Sequence, residues 1–287
     1  MNFNLDSYFE IGNSHNICQD YILHGNAGPI PFIVLSDGCS SSNFTDIGSR
    51  LLTLSFKRAL VDFVNLSIQS QMTDADIFDY IHTRTLFRLQ YNLESLGLKS
   101  SVADATLLFA FVFNENLYTK MYGDGNILYK FTDGQCEQVS HNYSGNNPYY
   151  PSYLIDHMRN KAYDPSTVLS STTTRFPDVT YRETIKVPFN ATYEDVRPIS
   201  NIQMISLFSD GVESYQYSVK SPNYADLASR KQSIEISIYW VCEMTDYKNT
   251  NGEFVKRRMK RIATDNLKNF IEHYDDVSVA TLWVNHE

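Results

Sequence analysis

What this sequence lacks narrows the field first. Its four cysteines, Cys18, Cys39, Cys136 and Cys242, form no C-x-x-C pair, and a chain of 287 residues is too large to need disulfide staples. Free thiols in a reducing cytoplasm are the expectation. No apolar run is long enough to span a bilayer, and Met1 leads into Asn2, Phe3 and Asn4 with no basic segment behind it. Neither a membrane partner nor a signal peptide is therefore expected. Positive charge is in short supply, with 24 Lys and Arg against 33 Asp and Glu and a net charge of −9, which argues against nucleic acid as a partner. Ser40, Ser41 and Ser42 follow Cys39 without a Gly-x-Ser-x-Gly elbow, so a serine-nucleophile reading fails. No repeat of fixed period, low-complexity tract or linker splits the chain.

What is present is an ordinary globular composition, 43% apolar and 20% charged. The 20 Tyr and 17 Phe favour strands and large packed interfaces. Short strands are predicted at residues 7–11 and 21–24. The run Phe32-Ile33-Val34-Leu35 reads as a buried strand ending in Ser36-Asp37-Gly38. Apolar spacing predicts a helix over 45–65 and a second over about 74–97, with Thr73 as its N-cap. Strands follow at 107–113, 117–122 and 127–131, joined by turns at Asn114-Glu115-Asn116, Gly123-Asp124-Gly125 and Asp133-Gly134. Residues 140–200, rich in Asn, Pro, Ser, Thr and Tyr, read as an irregular insert or flap. A strand at 204–208, a helix at 254–272 and a last strand at 277–284 complete an α+β pattern in one domain, 1–287.

The unusual feature is a repeated device. Phe32 to Gly38 and Ile205 to Gly211 both carry a hydrophobic strand into Ser-Asp-Gly, placing Asp37 and Asp210 at strand ends. Asp124 lies in a Gly-Asp-Gly turn, Asp275 precedes the last strand, and Asp20 precedes another. One Asp-Gly is usually only a turn, and Asp133-Gly134 fits that reading. Several carboxylates gathered at strand ends would repel one another unless a cation were present. Oxygen-rich sites suit Mg²⁺ or Mn²⁺. Glycine after the aspartate lets the backbone turn and bring its carbonyl close. Two such ions can share a bridging water, lower its pKa and clamp a phosphoryl oxygen.

At these residues the chain resembles the protein phosphatase 2C family of metal-dependent serine/threonine phosphatases, closer to its bacterial-type branch. The matches come in chain order: GNSHNICQDY ending at Tyr21, VLSDG ending at Gly38, the start of a strand at Asp104-Ala105-Thr106-Leu107, MYGDGN ending at Asn126, SLFSDGVE ending at Glu213, and DDVSV ending at Val279. Single motifs are weak; their order and spacing make the set specific. The resemblance implies a four-layer α-β-β-α sandwich of two antiparallel sheets flanked by helices. It implies that Asp37 bridges two Mn²⁺ or Mg²⁺ ions, that Gly38 offers its carbonyl, that Asp210 and Asp275 complete one site, and that Asp20 serves the other. Asp124 matches a residue that helps hold a third, weaker ion in some members. The implied activity is hydrolysis of phosphoserine or phosphothreonine in proteins, and a cognate kinase is a natural guess for a partner.

The chain departs from the family pattern at four places. His15 stands where an arginine commonly grips substrate phosphate, Cys39 where a histidine often follows Asp-Gly, Gln19 where an acid precedes Asp20, and Asp276 where Asn is usual. His15 is a candidate for the substrate phosphate, though without bidentate geometry, and equally for a structural surface histidine. His15 and Cys39 also motivate the alternative of a catalytically weak domain that binds phosphoprotein or regulates a partner. The basic run Lys256-Arg257-Arg258-Met259-Lys260-Arg261 is a candidate for binding nucleic acid or a phosphorylated peptide, with the solvated face of a helix as the default. His141, His157 and His273 read as surface residues. Tyr149, Tyr150 and Tyr153 are candidates for a substrate groove, with core packing as the default.

Overall fold

Strand β3 (Ile30–Ser36) is buried along its whole length because both of its faces are covered. Phe32 and Val34 pack toward helices, while Ile33 and Leu35 pack toward a second sheet. Strand β4 (Leu107–Phe113) repeats the division, with Leu107, Phe109 and Phe111 on one side and Leu108 and Ala110 on the other. A strand alternates its side chains between faces, so unbroken apolar runs are what a doubly covered strand requires. The computed structural model describes residues 1–67, 69–176, 181–218 and 236–286.

Every paired strand is antiparallel. The first sheet orders β10 (Tyr193–Pro198), β5 (Asn116–Tyr122), β4, β3 and β2 (Tyr21–Ala27). The second orders β1 (Asn2–Glu10), β14 (Val277–Asn285), β11 (Ile202–Phe208), β6 (Gly125–Phe131), β7 (Cys136–Tyr143), β8 (Val168–Phe176) and β9 (Tyr181–Pro188). A short ribbon pairs β12 (Tyr215–Tyr217) with β13 (Ile271–His273). One core cluster joins Ile33, Leu35 and Leu108 of the first sheet to Ile127, Ile205, Leu207 and Leu282 of the second, so the sheets pack face to face.

Helices cover the outer faces. Helix α1 (Thr45–Val64) sets Leu52, Phe56, Leu60 and Phe63 against the first sheet, and Phe56 stacks on Phe109 with ring centroids 4.4 Å apart. Such a pair is worth ~0.5–1.5 kcal/mol beyond its area burial. Helix α2 (Asp74–Ser95) lies beside it and starts in a capping box. The Thr73 hydroxyl accepts from the Asp76 N–H, and the Asp76 carboxylate accepts from the Thr73 N–H at 2.9 Å. The short helices α3 (Pro151–Leu154) and α4 (His157–Ala162) follow β7. On the outer face of the second sheet lie α5 (Ile236–Thr245) and α6 (Phe254–Lys268), which bury Val241, Met244, Val255, Met259 and Ile262. The basic run of α6 turns outward between these residues, with Lys256 paired to Glu253 and Arg258 to Glu243.

Several boundaries differ from expectation. Strand β1 begins at Asn2 rather than residue 7, since its whole length pairs with β14. The last helix stops at Lys268, and the ribbon takes over at Ile271. Residues 140–200, expected to be irregular, are largely regular: they hold the end of β7, both short helices, β8, β9 and β10, with 177–180 outside the described residues. Their polar composition reflects exposure. Strand β9 is exposed or half-exposed throughout, so nothing in it needs to be apolar.

Gly48 fixes how α1 sits. A Cβ there would fall 1.8 Å from the Val102 carbonyl oxygen. Alanine in place of a helix-interior glycine ordinarily stabilises by about 1 kcal/mol, but overpacking costs about 1–3 kcal/mol, and a clash with backbone cannot relax through a rotamer. Gly48→Ala is expected to lower the urea midpoint; an unchanged or higher midpoint would mean that α1 does not approach residues 102–103 this closely.

Candidate active site

Register carries the distant aspartates to one end of the sandwich. Ser36, the last residue of β3, pairs with Tyr21, so Asp37 and Asp20 lie side by side. Leu35 pairs with Leu108, and Leu107 with Tyr122, which brings up the turn holding Asp124. In the facing sheet Phe208 pairs with Asn126 and with Val279, which places Asp210 and Asp275 at that same end.

The two Ser-Asp-Gly endings work alike. The Ser36 hydroxyl donates to the Thr106 carbonyl at 2.6 Å, and the Asp37 N–H donates to the Thr106 hydroxyl at 3.0 Å. The Ser209 hydroxyl accepts from the Ser278 N–H at 3.0 Å and donates to the Asp276 carbonyl at 3.2 Å. Each serine thus pins the strand end that bears the acid. The glycines serve close approach rather than a left-handed turn, since neither has positive φ. A Cβ on Gly211 would lie 1.8 Å from the Asp276 carbonyl oxygen, and one on Gly38 would lie 2.9 Å from Thr45.

The electrostatics are those of crowded acids. Asp20 is buried, and neither of its carboxyl oxygens reaches a hydrogen-bond donor in good geometry. Burial pushes its pKa up to about 8, with Asp276 adding to the shift, while Asp37 and the hydroxyls of Ser278 and Ser209 stand close enough to moderate it. Asp37 is raised well above the carboxylate range by burial and then by Asp20 and Asp210. Burial and Asp210 push Asp124 up to about 8, and the same two causes raise Asp275. Charge repulsion thus links all five aspartates named from the sequence. Among the described residues no three His, Cys, Asp or Glu side chains already stand in metal-ligating geometry. The donor chemistry nonetheless suits a hard divalent cation, because an all-oxygen set includes a buried carboxylate with no donor of its own.

His15 lies at the rim, with Nδ1 3.1 Å from Asp276 Oδ1 and 3.7 Å from Asp275 Oδ1. Asp276, read from sequence only as a departure from Asn, is a buried staple. Its carboxylate accepts from the Gly12 N–H at 2.8 Å and the Gln19 N–H at 2.6 Å, tying the 12–19 loop to the entrance of β14. Two further residues were not singled out. Glu213, three residues after Asp210, influences the ionisation of Asp124. Tyr143 lies outside the sequence motifs, and burial, with Asp124 next, holds its phenol protonated. His141, expected at the surface, is buried beside the Gly-Asp-Gly turn, and burial lowers its pKa to about 4. Cys39 follows Gly38 directly, and its Sγ is 3.0 Å from the Ser41 hydroxyl.

Two face-to-face antiparallel sheets flanked by helices, with acids clustered at one shared end, define the architecture of a protein phosphatase. The chain belongs to the protein phosphatase 2C family, whose profile matches residues 12–263. That family is one of metal-dependent protein phosphatases. The fold is similar to that of the serine/threonine phosphatase Stp1 from Staphylococcus aureus, at 14% identity and a TM-score of 0.57, covering 100% of this chain and 96% of that one. The S. agalactiae serine/threonine phosphatase matches at 14% identity and a TM-score of 0.54, covering 99% and 100%. The phosphatase domain and regulatory fragment of SpoIIE from Bacillus subtilis match at 11% and a TM-score of 0.51, covering 100% of this chain and 63% of that one. No curated protein sequence matches significantly. Among the described residues no helix is long and apolar enough to cross a membrane.

The raised carboxyls make a signed prediction. A group whose folded pKa exceeds its unfolded value of 3.8 stabilises the fold fully below that value, and this contribution is lost as pH rises through the folded pKa. Between pH 4 and about 8, Asp20 and Asp124 therefore draw stability out of the metal-free protein. Thermal melts in chelator should fall across that range. Asp20→Asn should flatten the fall, raising the midpoint at pH 8 by about 2–4 °C for each kcal/mol of strain removed. A melting temperature in chelator that climbs from pH 5 to pH 8, for wild type and variant alike, would refute the crowding.

Proposed function

We propose that the chain dephosphorylates phosphoserine and phosphothreonine in protein substrates with two divalent cations, Mn²⁺ or Mg²⁺, at the shared end of the sandwich. The supporting observation is the set of crowded carboxylates around Asp20, whose two oxygens are buried without a donor. Asp37 would be shared between the ions and Gly38 would offer its carbonyl. Asp210 and Asp275 would complete one site, Asp20 would serve the other, and Asp124 a third, weaker ion. When bound, the cations supply a nucleophile from water at neutral pH and stabilise charge on the phosphoryl oxygens.

The protein's own residues orient and shield. Ser36 and Ser209 pin the strand ends that carry Asp37 and Asp210. His15, with Nδ1 3.1 Å from Asp276 Oδ1, would present its ring to an incoming phosphate as a single donor, weaker than a bidentate arginine. Four cysteines without a disulfide agree with a reducing cytoplasm. Residues 1–287 are read as one phosphatase-like domain, and its phosphoprotein substrate is bound through the phosphate and its flanking chain. A cognate kinase would supply that substrate.

The test is phosphate release from an aryl phosphate and a phosphothreonine peptide in Mn²⁺, with and without chelator. Asp37→Asn and Asp210→Asn are each expected to lower kcat roughly hundredfold or more, since several kcal/mol of charge stabilisation depend on the cations. Full activity in either variant, or turnover indifferent to chelation, would sink the proposal. Mn²⁺ binding by calorimetry without turnover would instead support the non-catalytic phosphoprotein-binding reading.

A further inference from the structure

One buried carboxylate outside the proposed cation set holds the segment between β7 and β8 in place. Asp104 is 4% exposed. Its Oδ1 accepts from the Ser152 hydroxyl at 2.6 Å and from Arg159 Nη2 at 2.8 Å. Its Oδ2 accepts from the same guanidinium nitrogen at 2.8 Å and from the Ser42 hydroxyl at 2.8 Å. The Asp104 carbonyl accepts from the Cys39 N–H at 2.8 Å, and the Thr106 N–H donates to the Asp37 carbonyl at 2.8 Å. Residues 104–106 are thus laid against 37–39, and the residue that anchors this turn also grips α3 through Ser152 and α4 through Arg159.

The gripped segment borders the acids. Tyr150, immediately before α3 and two residues from the Ser152 that Asp104 grips, is 8% exposed, and burial, then Asp124 and Cys39, hold its phenol protonated. The Arg159 guanidinium lies 4.6 Å from the ring centroid of Tyr153, whose ring in turn stacks near Tyr150. A second tie runs from the Ser100 hydroxyl to the Asp156 carboxylate at 2.6 Å. Removing one partner of a buried ion pair leaves the other charge uncompensated, so the Asp104–Arg159 pair acts as a single latch between the acidic turn and the tyrosine segment.

We infer that Asp104 is a positioning residue that, through Arg159 and Ser152, holds the Tyr150 hydroxyl at the phosphoryl site, where it donates to an oxygen of the substrate phosphate. This rests on the phosphatase reading above. Hydrogen exchange and steady-state kinetics on the full chain test it with Arg159→Met, Arg159→Lys and Tyr150→Phe.

Arg159→Met is expected to speed exchange across residues 150–163 about tenfold or more while α2 stays unchanged. It should raise KM for a phosphothreonine peptide about fivefold with kcat within about twofold. Arg159→Lys, which keeps the charge, should restore part of both. Tyr150→Phe should reproduce the rise in KM without the change in exchange. Unaltered exchange in Arg159→Met, or unaltered KM in Tyr150→Phe, overturns the inference. So does a loss in Arg159→Met that Arg159→Lys does not relieve. Because exchange needs no turnover, an inactive wild-type protein would remove the phosphatase reading while the latch itself stayed measurable.

Discussion

Carboxylates crowded at one end of a sandwich repel each other, and the repulsion grows as water is excluded. Asp20 is the extreme case, buried with neither oxygen in a proper hydrogen bond. An ionised group in that position carries a penalty of several kcal/mol. Chemistry offers two reliefs, a retained proton or a cation. The raised pKa values of Asp20, Asp37 and Asp124 express the first. The all-oxygen donor set suits the second. Function in this family depends on choosing the cation, so the scaffold must hold its acids together against their own repulsion.

Much of the local structure serves that restraint. Ser36 and Ser209 bolt the two acid-bearing strand ends to neighbouring chain. Gly38 and Gly211 let backbone approach where any Cβ would collide. Asp276 spends its carboxylate on the amides of Gly12 and Gln19, fixing the loop that delivers Asp20. Asp104 does the same for the turn of Asp37, with the added consequence that α3 and α4 are drawn in beside it. Acidic residues here fall into two kinds: those crowded at the shared end, among which Asp20 has no donor, and those engaged in keeping the first kind in place.

The sheets and long helices were legible because both of their faces, or one clear stripe, had to be apolar. Strands β3 and β4 announce themselves as unbroken apolar runs, and α1 by the spacing of Leu52, Phe56, Leu60 and Phe63. Strands β8 and β9 did not, because a sheet margin that faces solvent can be built from Ser, Thr and charged residues. Helix α5 passed unnoticed for the opposite reason: Ile236 to Thr245 is apolar on most sides and shows no stripe. The Ser-Asp-Gly repeat was visible, but its glycines pointed to a turn where the structure has close packing instead.

The sequence by itself determined which aspartates end hydrophobic strands, the α+β pattern and the family, because these depend on local order and alternation along the chain. Only the tertiary structure decided that Asp20 is a donorless buried acid, that Asp276 and Asp104 are staples, and that Tyr150 stands beside the cluster. The carboxylates of the two staples reach side-chain and backbone partners 48 to 264 residues away in the chain. Strand register brings such partners together, and no local pattern records it.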